Sequence, residues 1–128
     1  MIKNKIKNKI LVVDDEPEFL EMVKMRLEAN NYEVIAASNG KEGLKKVRLY
    51  KPDLVILDIL MPEMEGTTMA QILRENPDTQ DIPTIFLTCL LMKDEEKQWE
   101  HTLGKAPIMA KPIDPDELLL KIEECLRK

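Results

Sequence analysis

The chain has 128 residues, 44% of them hydrophobic and 34% charged, which describes one soluble globular domain, here taken over 1–128, large enough to bury a real core. With 24 acidic and 19 basic residues the net charge is −5, which argues against general or direct nucleic-acid binding. No apolar run approaches the ~20 residues that span a bilayer, and the lysine-rich start lacks the apolar stretch of a signal peptide, so the expectation is a cytoplasmic protein with no membrane contact.

Residues 1–8 read as a basic tail leading into the first strand, with Lys3, Lys5 and Lys7 alternating with Ile and Asn. An aliphatic run over 10–13 predicts that strand, and it stops at Asp14-Asp15-Glu16-Pro17. Pro17 suits the first turn of a helix, whose apolar face is Leu20, Val23 and Leu27 and whose end falls near Asn30-Asn31. A shorter strand is expected over 33–37. Asn39 with Glu42 then resembles a capping box for a helix that faces Leu44 and Val47 inward, although Gly43 weakens it by roughly 1 kcal/mol relative to Ala.

Leu54 to Leu57 has no polar alternation, the mark of a strand buried on both faces of a parallel sheet. It ends abruptly at Asp58, and Pro62 and Gly66 mark a loop. Met69, Ile72 and Leu73 are spaced for a helix that ends before Pro77, and a fourth strand is expected over 82–88, ending at Thr88. A helix over 94–103 has only Trp99 and Leu103 as apolar anchors, with Gly104 as its stop. A short fifth strand over 107–110 runs into Lys111-Pro112. The last helix carries Asp114 as cap, Pro115 at its first position and Glu117 to close a capping box. Leu118, Ile122 and Cys125 form its inner stripe, while Leu119, Leu120 and Leu126 widen its apolar surface. Cys89 and Cys125 show no metal-type spacing and read as reduced thiols. His101 reads as a surface helix residue, and most of the methionines as core filler.

Five βα units in succession predict an α/β fold, a flavodoxin-like doubly wound (βα)5 with a five-stranded parallel sheet in the order 2-1-3-4-5. Ligands of open α/β sheets sit at the carboxyl ends of the strands. Those ends carry Asp14 and Asp15, then Asp58, then Thr88, then Lys111. Crowded carboxylates repel, and a hard divalent cation such as Mg2+ relieves them. Lys111 offers a positive charge and Thr88 a hydroxyl for a phosphoryl group, and Asp58 can act as the nucleophile that forms an acyl phosphate.

These features together resemble the receiver domain of bacterial two-component response regulators, over about Lys9 to Arg127. The match rests on Asp14-Asp15, Asp58 followed by Met61-Pro62 and Gly66, Thr88, and Lys111-Pro112. The resemblance implies that Asp58 receives the phosphoryl group from a sensor histidine kinase or a histidine phosphotransfer protein. It implies that Asp15 and Asp58 hold Mg2+, with Asp14 acting largely through water and the Leu60 carbonyl completing the protein ligands. Thr88 is then the switch hydroxyl, Lys111 the phosphoryl-binding cation, and the Lys111–Pro112 bond is expected to be cis. Such a protein catalyses only its own phosphorylation and dephosphorylation, and so is not otherwise an enzyme. A downstream effector is expected on the face of residues 94–110 and 114–127, with Leu119 and Leu120 supplying apolar area for it or for a homodimer formed on phosphorylation.

Four positions depart from the family pattern. Ile108 stands where Tyr or Phe is usual, Cys89 where a small Ala is usual, and Leu60 and Leu90 where polar side chains often handle the hydrolytic water. Slow self-dephosphorylation is the expected result. The main alternative is an FMN-binding electron-transfer protein of the same fold, which needs a Gly-, Ser- and Thr-rich loop where this chain has Asp14-Asp15-Glu16. A phosphohydrolase with an Asp nucleophile would need a cap domain, for which no sign is present. The chain reads either as a stand-alone receiver or as the excised receiver of a longer DNA-binding regulator, and its start at Met1 favours the first.

Overall fold

The structure, a computed structural model, describes residues 7–59, 66–88 and 106–127, apart from the side chain of Thr67. Leu60, Met61-Pro62, Cys89, Leu90 and the helix expected over 94–103, with Trp99, His101, Leu103 and the stop at Gly104, lie outside the described residues, as does the tail over 1–6.

In chain order the described elements are β1 (Lys9–Val13), α1 (Pro17–Ala29), β2 (Glu33–Ala37), α2 (Gly40–Tyr50), β3 (Leu54–Asp58), α3 (Gly66–Glu75), β4 (Thr84–Thr88), β5 (Ile108–Ala110) and α4 (Pro115–Leu126). The five strands form one parallel sheet in the order β2-β1-β3-β4-β5, as the βα pattern predicts. β3 therefore lies in the middle, and all five of its residues are buried.

Strand alternation divides the core between two layers. Leu11, Val13, Val55, Leu57 and Phe86 point to the side covered by α2 and α3, against Leu44, Val47, Met69 and Leu73. Ile10, Val12, Leu54, Ile56, Ile85 and Leu87 point to the other side, against Val23 and Leu27 of α1 and Leu118 and Ile122 of α4. Burying each such side chain favours folding by roughly 1.5–3 kcal/mol before chain entropy is counted. No described helix is long and apolar enough to cross a membrane.

The helix ends follow local chemistry. Pro17 opens α1, which closes through Asn30 and a left-handed Asn31 at φ 73°. Asn39 caps α2, its Oδ1 accepting from Glu42 N at 2.8 Å. The expected box is shifted by one residue, because the Glu42 carboxylate accepts from Ser38 N at 2.6 Å rather than from the cap itself. Asp114 caps α4 by accepting from Asp116 N at 3.0 Å, and Glu117 does not close the expected box.

Other expectations need adjustment. β4 begins at Thr84 rather than at residue 82, because Ile82 N is bonded into a turn at Thr79 O while Thr79 Oγ1 donates to Leu73 O at 2.6 Å. Gly43 has a packing role, since a Cβ there would lie 3.0 Å from the tip of Met69 and from Val13 Cγ2. Leu119 is not spare: it and Leu126 pack against the α1/α4 layer, which leaves Leu120 exposed at 62%.

Candidate functional site

β1 and β3 are neighbours, so the end of β1 and the end of β3 deliver their acids to one place. The Asp14 side chain is fully buried, Asp58 is 6% exposed and Asp15 faces solvent. One carboxylate oxygen from each can be chosen so that all lie within 4.8 Å of one another. That set of hard oxygen donors, buried on one side and open on the other, fits a divalent cation such as Mg2+, which keeps several waters when held by few carboxylates.

Lys111 reaches the same place from the far side of the sheet. β5 pairs with β4, and Lys111 N donates to Thr88 O at 2.8 Å, so the lysine leaves the sheet beside Thr88. The Lys111–Pro112 peptide is cis, as expected. The lysine Nζ donates to Asp14 Oδ2 at 2.6 Å, to Glu16 Oε1 at 2.9 Å and to Asp58 Oδ2 at 3.4 Å.

These contacts set the charge states. Burial pushes the Asp14 carboxyl above its ordinary value, against the opposing pull of the Lys111 hydrogen bond and the Glu16 N–H. Burial also works against the charge on Lys111, but the hydrogen bonds it donates to Asp14 and Glu16 and the nearby charges of Asp14 and Asp58 outweigh it and hold the ammonium well above the usual lysine range. The surroundings thus favour the charged form of Lys111, while burial works against ionisation of Asp14.

The backbone around Asp58 is closely fitted. Ile59, fully buried, donates its N–H to Leu87 O at 2.8 Å and accepts from Gly66 N at 2.9 Å. A Cβ on Gly66 would fall 2.1 Å from the Asp58 carbonyl oxygen, so only glycine fits where α3 begins. Thr88, 2% exposed, ends β4 one position beyond Leu87, the register partner of Asp58. Ile108 sits on β5 opposite Phe86 and packs against the α2/α3 layer.

Asp14, Asp15, Asp58 and Lys111 are therefore brought together, and Thr88 stands at the adjoining strand end. Leu60, the expected carbonyl ligand, is outside the described residues. Two residues escaped the sequence reading. Glu16 directly partners Lys111, and the Phe19 ring lies under the lysine Nζ, 4.4 Å from its centroid. The available signal was Pro17: it fixes Glu16 as the α1 N-cap, and the Glu16 side chain makes no capping bond.

The family model for the response regulator receiver domain matches residues 10–123. The chain belongs to this family. Among curated relatives, PilH of Pseudomonas aeruginosa is 35% identical over 92% of this receiver and 97% of PilH. The alkaline phosphatase synthesis transcriptional regulatory protein PhoP of Bacillus subtilis is 38% identical over 94% of this receiver and 49% of PhoP. The chain thus spans about half the length of PhoP and nearly all of PilH. Among solved structures, the chemotaxis protein CheY4 of Vibrio cholerae superposes with a TM-score of 0.86 at 30% identity, covering 94% of this receiver and 100% of CheY4. The flavin alternative lacks the loop it needs, since the turn after β1 is lined by Asp14, Asp15 and Glu16.

Proposed function

We propose that this receiver takes a phosphoryl group onto Asp58 from a phosphohistidine of a sensor kinase or phosphotransfer protein, in the cytoplasm and with Mg2+. The observation that carries this reading is the meeting of three carboxylates with one lysine at the end of the central strand. Asp15 and Asp58 would hold the cation directly, with Asp14 through water and Leu60 through its carbonyl. When bound, Mg2+ supplies positive charge against the equatorial phosphoryl oxygens.

The residues of this chain do the rest. An oxygen of Asp58 forms the bond to phosphorus as the donor P–N bond breaks. The electron pair leaves on the imidazole nitrogen; the donor ring reacts protonated on its other nitrogen, so the leaving group is a neutral imidazole and Asp58 neither gains nor loses a proton. Lys111 donates to a phosphoryl oxygen and offsets the added charge. Thr88 donates its hydroxyl to another and carries the change of state to β4. The effector contacts the face of residues 94–110 and 114–127, on which Leu120 is exposed. Phosphorylation also favours a homodimer through this apolar area.

The test is intact-mass measurement after incubation with acetyl phosphate. One phosphoryl group should appear only when Mg2+ is present, and hydroxylamine should remove it as it removes acyl phosphates. Modification without metal, or resistance to hydroxylamine, would contradict the reading.

A further inference from the structure

An ammonium has three protons to donate, and Lys111 has three carboxylates around it. It therefore cannot bind a phosphoryl oxygen without giving up one of them. Asp14 is buried without exposure and has the shortest contact, so losing it strands a desolvated acid. Asp58 is the proposed acceptor and stays beside the lysine in either state. Glu16 differs from both. Its side chain is 64% exposed, so water replaces the lysine at little cost, and it lies outside the acidic triad suited to the cation. Beneath the ammonium, the Phe19 ring holds Nζ in place with an attraction that does not consume a proton.

We propose that Glu16 is a positioning residue that berths Lys111 in the resting state, and that the Lys111–Glu16 bond is the one exchanged when a phosphoryl group arrives. This rests on the reading of Lys111 as the phosphoryl-binding cation. Glu16 thereby sets a threshold for activation: it keeps the lysine within reach of Asp58 and competes with the phosphoryl oxygens for one donor.

The experiment measures the affinity of the Mg2+-loaded protein for beryllofluoride, a phosphoryl mimic, in a double-mutant cycle. Releasing an exposed ion pair should tighten binding about two- to fivefold in Glu16→Gln. Lys111→Met should weaken binding, and in that background Glu16→Gln should add nothing. Glu18→Gln removes one charge from the same exposed first turn without touching Lys111, and should leave the affinity at the wild-type value. Equal tightening by Glu16→Gln and Glu18→Gln would mean simple charge repulsion and overturn the proposal, as would an unchanged affinity in Glu16→Gln. This comparison stands even if Lys111→Met does not fold. If Lys111→Met binds the mimic as well as wild type does, the underlying reading of Lys111 fails instead.

Discussion

Gly66 offers the sharpest test of how the site is built. In Gly66→Ala the new methyl would sit 2.1 Å from the Asp58 carbonyl oxygen, roughly 1.3 Å short of the 3.4 Å at which ordinary contact begins. That oxygen belongs to the central strand, whose next residue is pinned by bonds to Leu87 and Gly66, so the backbone has little room to yield. Overpacking of this kind costs about 1–3 kcal/mol and sometimes more. The gain from replacing a glycine is well under 1 kcal/mol at a first helical position, so the clash wins. With ~4 °C of Tm per kcal/mol for a chain of this size, Tm should fall by about 4–12 °C. Asp58 must also shift, so phosphorylation by acetyl phosphate should slow even well below Tm. Gly43→Ala is the control. Its new methyl meets the flexible end of Met69 and one methyl of Val13 at 3.0 Å, while the helix interior gains about 0.8–1 kcal/mol. Those effects nearly cancel, and stability should stay within about 1 kcal/mol of wild type with phosphorylation intact. Urea unfolding and phosphorylation rates of both variants decide the matter. Wild-type stability and rate in Gly66→Ala would refute the close fit described for Asp58.

Other consequences follow from the caps and the acids. Asn39→Ala should lose about 1 kcal/mol in urea unfolding, the usual worth of an N-cap. The Ser38 N–H holds the Glu42 carboxyl below its ordinary value, so its contribution is fully present above the ordinary glutamate pKa and fades as pH falls through the lowered folded value. The stability gap between wild type and Glu42→Gln should therefore be widest near neutrality and close on acidification; a gap that widens in acid would reverse the sign. Mg2+ should stabilise wild type against unfolding by about 2.7 kcal/mol at a hundred times its Kd, and Asp15→Asn should remove most of that effect. An equal gain in Asp15→Asn would take this carboxylate out of the metal site.

Much of this was legible because strand ends in a parallel sheet must converge. Unbroken Leu54–Leu57 announced a central strand, and central position made Asp58 the meeting point for Asp14, Asp15 and Lys111. What escaped was set by side-chain reach rather than by pattern. Glu16 and Phe19 matter through Lys111, which is 95 residues from Glu16, and no periodicity links them. The Glu42 carboxylate bonds Ser38 rather than Asn39, a one-residue choice that the cap motif does not encode. Gly43 looked like a helix weakness because propensity ignores the neighbouring Met69 and Val13. Leu119 looked free because the inner stripe of Leu118, Ile122 and Cys125 does not tell that its neighbour also packs against the α1/α4 layer.

The central claim is that Asp58 receives the phosphoryl group, and the most direct measurement maps the modified residue itself. Protein treated with Mg2+ and acetyl phosphate is reduced with borohydride, which converts an aspartyl phosphate to homoserine, and its peptides are sequenced by mass spectrometry. Homoserine should appear at position 58 in wild type and nowhere in Asp58→Asn. Homoserine at Asp14 or Asp15, or equal modification of Asp58→Asn, would contradict the account.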